Sequence, residues 1–432
     1  MMIKMSEERV IVRGIRPEEQ LWGAYQFPTP YRLKDGIACS VHITEDNINT
    51  FRQDTKRWFK STDGGESWFE VDSSVSVECG LLLDNGDRLF FPQVGSTDVT
   101  DYKLTDIKYR TPDYDMKKPA EEGTLPMQDG ATFDMWGTII FAYDADRLPP
   151  SLCEKKWLAL RLKAGESEPT SEYAKLNWDK LTRVVFVKKG KKTMRSIFPH
   201  GRARKGPDGA IWISTYSGDG HIDPATGLYN HYYSAEILRS EDDGHSFTRV
   251  AHMEYPADGS AEYPYLSGGF SDNDFEFMDD GSMVWIFRSA WYNRTGCEWS
   301  PMYISHSNDM GKSWTKPVPF TPTGVFPSIC KLGCGTTLLC YARPGVFVIA
   351  SEDQCKSWSQ PLEVMTAGDR SSLANITPER LCFHDWDGAC NNPQLLALDD
   401  RSALLFYSDF YYPDEEGVSR KTILCRKITV ED

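Results

Sequence analysis

Ser307-Asn308-Asp309-Met310-Gly311-Lys312-Ser313-Trp314 carries the pattern Ser-x-Asp-x-Gly-x-x-Trp, and the pattern returns. Ser61-Thr62-Asp63-Gly64-Gly65-Glu66-Ser67-Trp68 matches it in full, and Ser240-Glu241-Asp242-Asp243-Gly244-His245-Ser246-Phe247 ends on Phe. Ser351-Glu352-Asp353-Gln354-Cys355-Lys356-Ser357-Trp358 keeps every position but the glycine. A tight β-hairpin turn accounts for the residue types. The Asp and Ser side chains bond nearby backbone N–H groups, Gly supplies a positive φ, and the aromatic packs beneath the turn. Recurrence of such a unit at blade-like intervals marks a repeat fold.

A second signal precedes each of these turns: an apolar residue, a short spacer, Asp or Asn, Gly, then an alternating apolar run, as where an innermost strand turns into the next. It occurs at Leu33-Lys34-Asp35-Gly36, Leu83-Asp84-Asn85-Gly86, Gly206-Pro207-Asp208-Gly209, Met278-Asp279-Asp280-Gly281 and Leu332-Gly333-Cys334-Gly335, and in degenerate form at Leu398-Asp399-Asp400-Arg401. Six sheets follow directly. The interval from Gly86 to Gly209 is about twice the others, so it holds one decorated sheet or two. Trp136 to Tyr143, Trp157 to Leu162 and Arg183 to Val187 read as strands within it, and the stretches around 112–123 and 164–180 read as surface insertions. Arg9-Val10-Ile11-Val12-Arg13 is strand-like and is expected to complete the last sheet beside Ala403 to Tyr407 and Thr422 to Ile428, which would remove exposed edges.

The eight-residue turn resembles the Asp-box of the sialidase (neuraminidase) superfamily of β-propellers, where it joins the two outer strands of a blade. The resemblance implies an all-β fold, a β-propeller of six or seven four-stranded blades with Asp-box turns, in a single domain over 1–432. It also implies that Trp68, Trp314 and Trp358 are largely buried. The box is a mark of architecture and holds no catalytic atom.

Composition narrows the setting. With 48 basic and 63 acidic residues the formal charge is −15 and the isoelectric point about 5.1, which disfavours nucleic-acid and anionic-membrane partners. Eleven cysteines without regular spacing fit reduced thiols. Met1-Met2-Ile3-Lys4-Met5-Ser6-Glu7-Glu8 has no apolar signal core and no run of about 18 apolar residues occurs, so a cytoplasmic location is expected. No zinc spacing, P-loop or dinucleotide-binding glycine pattern is present, so neither metal nor cofactor is expected. His384-Asp385-Trp386-Asp387 reads as a surface turn.

In a propeller the inner strands converge on a central funnel, and side chains there sit just before each Asp-Gly turn or at the end of the strand that follows. Those positions hold Gln26, Glu78, His200, Arg202, Asp272, Asp274, Arg288, Arg343, Asn391 and Asn392. The sialidase resemblance bears on several of them. Arg288, seven residues after Gly281, matches the family's second arginine, and Ser271-Asp272 lies opposite its catalytic Ser-Glu. Gln26, in Tyr25-Gln26-Phe27-Pro28, stands where the family has arginine, and the nucleophilic tyrosine's place falls to Asn392. Arg343, in Tyr341-Ala342-Arg343-Pro344, reaches the funnel from the adjacent blade.

Asp272, His200 and Glu78 are accordingly the candidates for proton transfer, with Gln26, Arg202, Arg288, Arg343 and Asn392 as substrate-binding residues. Arginines facing a funnel favour an anionic or hydroxyl-rich ligand, and Trp22, Trp291 and Trp386 offer faces for sugars to stack on. Tyr263, Tyr265, Tyr292, Tyr407 and Tyr411 also lie near funnel loops. Three functions fit: a glycoside hydrolase acting on a terminal, anionic sugar of an oligosaccharide; a uronate-cleaving lyase built on His200 and Arg202; and a non-catalytic carbohydrate-binding propeller.

Overall fold

The computed structural model describes residues 2–16, 19, 24–43, 56–92, 96–104, 109–110, 139–153, 155–178, 181–188, 191–194, 201–222, 229–254, 269–289, 301–343, 345–366 and 391–431. Its strands form the blades of a propeller. Blade one comprises Gln26–Arg32, Ile37–His42, Lys56–Ser61 and Phe69–Val71. Blade two comprises Leu81–Leu82, Arg88–Phe90, Lys156–Leu162 and Thr170–Asn177, and blade three Ala203–Lys205, Ile211–Ile222, Tyr229–Ser240 and Ser246–Met253. Blade four runs through Asn273–Phe277, Met283–Arg288, Met302–Ser307 and Val318–Thr321, and blade five through Val325–Lys331, Thr337–Ala342, Val346–Ser351 and Leu362–Met365. Blade six takes Gln394–Asp399, Ser402–Pro413 and Ser419–Glu431 from the end of the chain and Arg9–Arg13 from its beginning, in antiparallel register Arg9↔Cys425 to Arg13↔Thr422. Each Asp-Gly signal lies between the first and second strands of its blade.

Six apolar cores lie between successive blades and close the ring. Leu33, Ala38 and Trp58 of blade one meet Val75 and Cys79 of the connection to blade two. Trp157 and Leu176 of blade two meet Ile213 and Phe247 of blade three, and Trp212 of blade three meets Phe275 and Trp285 of blade four. Ile286 packs on Leu339 between blades four and five, Leu338 on Leu405 between five and six, and Phe406 on Val41 between six and one. Covered on both faces, second strands such as Ile37–His42, Met283–Arg288 and Thr337–Ala342 are buried at all positions, where alternation with one solvent-facing side was expected.

Between Gly86 and Gly209 there is one blade and an added five-stranded sheet, ordered Tyr109–Arg110, Ile139–Asp144, Thr182–Lys188, Lys191–Met194, Thr97–Asp98. Its small core holds Val99, Tyr143, Leu148, Val185 and Met194. The reading of 164–180 as an insertion is corrected over Thr170–Asn177. Thr170–Asn177 is the outer strand of blade two, pairing antiparallel with Lys156–Leu162 and parallel with Ser246–Met253 of blade three. Its exposed residues are Thr170, Ser171, Tyr173, Lys175 and Asn177, with only Ala174 and Leu176 turned inward. The stretch 112–123 lies outside the described residues.

The repeated eight-residue turns join third to fourth strands and share one bonding scheme. In the copy at Ser307, Oγ donates to Asp309 Oδ1 at 2.8 Å and accepts from Gly311 N at 2.8 Å, while Ser313 donates its N–H and O–H to the same carboxylate at 2.9 and 2.5 Å. These donors, Ser313 first, hold the Asp309 carboxyl down at about 2. In the copy at Ser351 the glycine's place is taken by Cys355, which keeps the left-handed backbone at φ 63°. Trp68, Trp314 and Trp358 are largely buried, as expected, each packed against one of the cores between blades. Nε1 of Trp68 and of Trp314 donates to Gly65 O and Gly311 O at 3.1 Å, which keeps one ring edge at the rim. The described cysteines are all free thiols.

Candidate functional site at the funnel mouth

Antiparallel pairing puts the Asp-Gly turns and the eight-residue turns at one end of the ring. The opposite end receives the starts of the inner strands and the ends of the second strands, and Gln26, Asp272, Arg288, Arg343 and Asn392 gather there. Gln26, Arg288, Arg343 and Asn392 are all buried. Arg288 Nη1 donates to Asp272 Oδ2 at 2.8 Å. The backbone joins the same two residues, with Arg288 N donating to Asp272 O at 2.8 Å. Acid and cation therefore face the mouth from one hairpin as a single unit.

Backbone strain concentrates at this end. Tyr25, Phe27, Phe326, Arg343, Asn391 and Asn392 all adopt left-handed φ between 44° and 71°, at a cost of roughly 1–2 kcal/mol for a residue with a Cβ. Phe27, Phe326, Arg343 and Asn392 also precede Pro28, Pro327, Pro344 and Pro393, a position normally driven to extended backbone. Bulges between Gln26 and Thr29 and between Val325 and Ser328 accommodate the two phenylalanines. The rings of Phe27 and Phe326, from blades one and five, lie 5.7 Å apart, and Phe27 also meets His42 edge-on at 6.0 Å. Strained residues of this kind persist where the surroundings hold them, typically at ligand sites.

Below the mouth the ring is braced across its axis. Arg202, entering the inner strand of blade three, donates to Ser328 Oγ of blade five at 2.7 Å and to Leu395 O of blade six. Arg204, two residues on, grips Asp274 of blade four at 2.6 and 3.0 Å and Ile329 O of blade five at 3.0 Å. Asp274 Oδ2 also accepts from Ile329 N at 3.0 Å. Burial alone would lower the Arg204 guanidinium; the Asp274 and Glu276 carboxylates outweigh it and raise it. Burial also lowers Arg202 and raises Glu276.

The expected site residues thus divide. Asp272, Arg288, Gln26, Arg343 and Asn392 share the mouth, and Phe27 N donates to Asn392 Oδ1 at 3.4 Å. Arg202 is committed to two acceptors of the ring itself. Glu78 is exposed, in the one-turn helix Val75–Glu78 between blades one and two. His200, Trp22, Trp291, Trp386, Tyr263, Tyr265 and Tyr292 lie outside the described residues, as does 384–387. Tyr407 is buried between blades, its hydroxyl accepting from Arg426 Nε at 3.0 Å, and Tyr411 is exposed. Sequence reasoning passed over His42, Phe27 and Phe326, although the repeated Phe-Pro was a signal for the latter two. It also passed over Arg204 and Glu276, which alternation along an inner strand would have placed on one face with Arg202 and Asp274.

No family model matches the chain, and no curated protein matches it. Solved structures are similar along the whole chain. A protein of unknown function from Dyadobacter fermentans is 15% identical over 99% of both chains, with a TM-score of 0.50. The α-L-arabinanase of Penicillium chrysogenum, solved with arabinobiose, is 11% identical over 98% of both chains, with a TM-score of 0.45. Trypanosoma rangeli sialidase is 10% identical, covering 94% of this chain and 55% of its own, with a TM-score of 0.39. At these identities the likeness is one of fold alone.

Proposed function

We propose that the chain is a carbohydrate-active enzyme, a glycoside hydrolase that removes a terminal anionic sugar from an oligosaccharide. The observation that carries this reading is the Asp272–Arg288 pair, held at 2.8 Å at a strained funnel mouth. Arg288 offers a planar fork of donors to a sugar carboxylate, with Arg343 as a second cation. The Asp272 carboxylate lies beside that anchor, placed to take a proton from water or to stabilise positive charge developing at the anomeric carbon. Gln26 is buried with its Nε2 unpartnered among the described residues, a donor for a sugar hydroxyl. With Asn392 where the sialidase resemblance puts the tyrosine, attack by water with inversion of configuration fits these residues better than a covalent tyrosyl intermediate.

The lyase alternative requires Arg202 at a uronate carboxylate, and its hydrogen bonds to Ser328 and Leu395 count against it. The test is a hydrolysis screen of sialyl-, uronyl- and arabinofuranosyl-terminated oligosaccharides, with the released sugar's anomer read by proton NMR. Hydrolysis of an anionic terminal sugar with inversion supports the reading. Cleavage that leaves a 4,5-unsaturated uronate, or no cleavage of any of them, counts against it.

A further inference from the structure

A cleft of about 490 Å³ opens between blades five and six, away from the funnel axis. Val364 and Met365, at the end of the outer strand of blade five, form its apolar wall, and blade six supplies the polar one. Asp409, Thr422 and Arg13 stand in one cross-strand row, through the pairs Asp409↔Thr422 and Arg13↔Thr422. Side chains directly opposite share a sheet face, so Asp409 and Arg13 flank the cleft with two strand spacings, about 10 Å, between their backbones. That is room for one sugar ring.

Both flanking groups have bonding capacity to spare. Arg13 Nε is buried with no hydrogen-bond partner among the described residues, and the guanidinium lies over the Tyr412 ring at 5.3 Å. Asp409 takes Tyr411 N on Oδ1 at 2.8 Å, and burial pushes its carboxyl up, so Oδ2 stands to gain from a donor. Of the other charges of the lining, Glu415 is exposed and the rest are satisfied within the fold. Arg426 pairs with Glu8 and with Tyr407 Oη, and Asp414 takes Arg420 at 3.0 Å and Val418 N at 2.8 Å. A ligand that accepts from Arg13, donates to Asp409 and lays an apolar face on Val364 and Met365 has the make-up of a sugar ring with adjacent hydroxyls.

The cleft is tied to the mouth through one strand. Ser408 exchanges two 2.8 Å hydrogen bonds with Asn391, the neighbour of Asn392, and Asp409 is the next residue. We propose that this cleft is a second saccharide-binding site, holding an inner sugar unit of a chain whose terminal unit enters the funnel. The position of the terminal unit rests on the function proposed above; binding at the cleft itself does not.

Isothermal titration of the full chain with tetrasaccharides of the arabino-, galacto- and galacturono- series tests it. In a background of Asp272→Asn, which slows turnover, at least one tetrasaccharide is expected to bind. Arg13→Ala or Asp409→Asn should weaken that binding at least tenfold with an unchanged melting temperature. Arg13→Lys, a cation without the fork, should fall between. If Arg13→Ala fails to fold, Met365→Arg blocks the cleft from the other blade and should abolish binding equally. Absence of binding by any tetrasaccharide, or binding indifferent to these substitutions, overturns the proposal. Cleft-dependent binding without hydrolysis by the wild type would overturn the hydrolase reading alone, and hydrolysis with cleft-independent binding would overturn this inference alone.

Discussion

Arg288 Nη1 lies 2.8 Å from Asp272 Oδ2, and the same two residues exchange a backbone hydrogen bond, so a cation and a carboxylate sixteen positions apart are one rigid feature of blade four. The pair is asymmetric in exposure: the Arg288 side chain is 6% accessible and that of Asp272 18%. Asp272 is the member that water or substrate reaches, and Arg288 the one that depends on its partner for compensation.

Substitution at Asp272 should separate chemistry from stability. Asp272→Asn keeps an oxygen acceptor for Arg288 and is expected to lower turnover about 10²–10⁴-fold with a small change in melting temperature. Asp272→Ala leaves a buried guanidinium without its carboxylate and should lower the melting temperature clearly further. Thermal melts of the two variants, beside steady-state kinetics, check the order.

The cross-axis brace predicts the reverse pattern. Arg204 holds Asp274 in a buried, two-pronged pair that ties blade three to blade four and, through Ile329, to blade five. Asp274→Ala should cost about 3–5 kcal/mol by denaturant unfolding. If the variant folds, saccharide affinity per folded molecule should stay within about threefold of wild type, since the pair sits below the mouth.

Two buried groups should give opposite pH signatures. Burial works against the His252 cation, but the hydrogen bonds it donates to Glu236 at 2.8 Å and Glu254 at 3.1 Å outweigh it and lift the imidazole to about 10. Raised above its unfolded value, His252 contributes stability that is complete below about pH 6.5 and lost as pH rises through about 10. Lys421, buried with Nζ on Ala24 O at 3.0 Å, is pulled down to about 6, so its cost to the fold is full below that and fades as pH rises toward its unfolded value near 10.4. Relative to wild type, the loss in His252→Gln should therefore shrink from pH 7 to 10, and the gain in Lys421→Met should shrink over the same range. Urea unfolding at several pH values measures both differences.

The left-handed residues make a further prediction. Asn392 has φ 44°, accepts from Phe27 N and precedes a proline. Asn392→Ala should destabilise by about 1–2 kcal/mol, because alanine pays the Cβ penalty without Asn's local hydrogen bonding. Asn392→Gly should cost less, and the difference in unfolding free energy between the two variants measures the strain.

Much of the ring was legible in the chain because its turns repeat chemistry: Asp-Gly at the inner hairpins and Ser-x-Asp at the outer ones. Arg9–Arg13 was legible as a closing strand for a similar reason, an alternating apolar run with no neighbour of its own in sequence. Thr170–Asn177 was hidden because only Ala174 and Leu176 face inward, and the inner strand of blade two because it is Leu81 and Leu82 alone. At the site, Asp272 and Arg288 could be placed together from their distances to Gly281. Arg202 could not be assigned correctly from position, since its partners Ser328 and Leu395 belong to blades more than a hundred residues away and meet it only once the ring closes.

The central claim is that the Asp272–Arg288 unit performs hydrolysis at an anionic terminal sugar, and the most direct measurement is the initial rate of sugar release from the best anionic oligosaccharide by wild type and by Asp272→Asn. The account predicts a fall of about 10²–10⁴-fold in turnover, with KM for that substrate rising chiefly in Arg288→Ala. An Asp272→Asn enzyme that keeps its turnover within about threefold while Arg288→Ala leaves KM unchanged would contradict it.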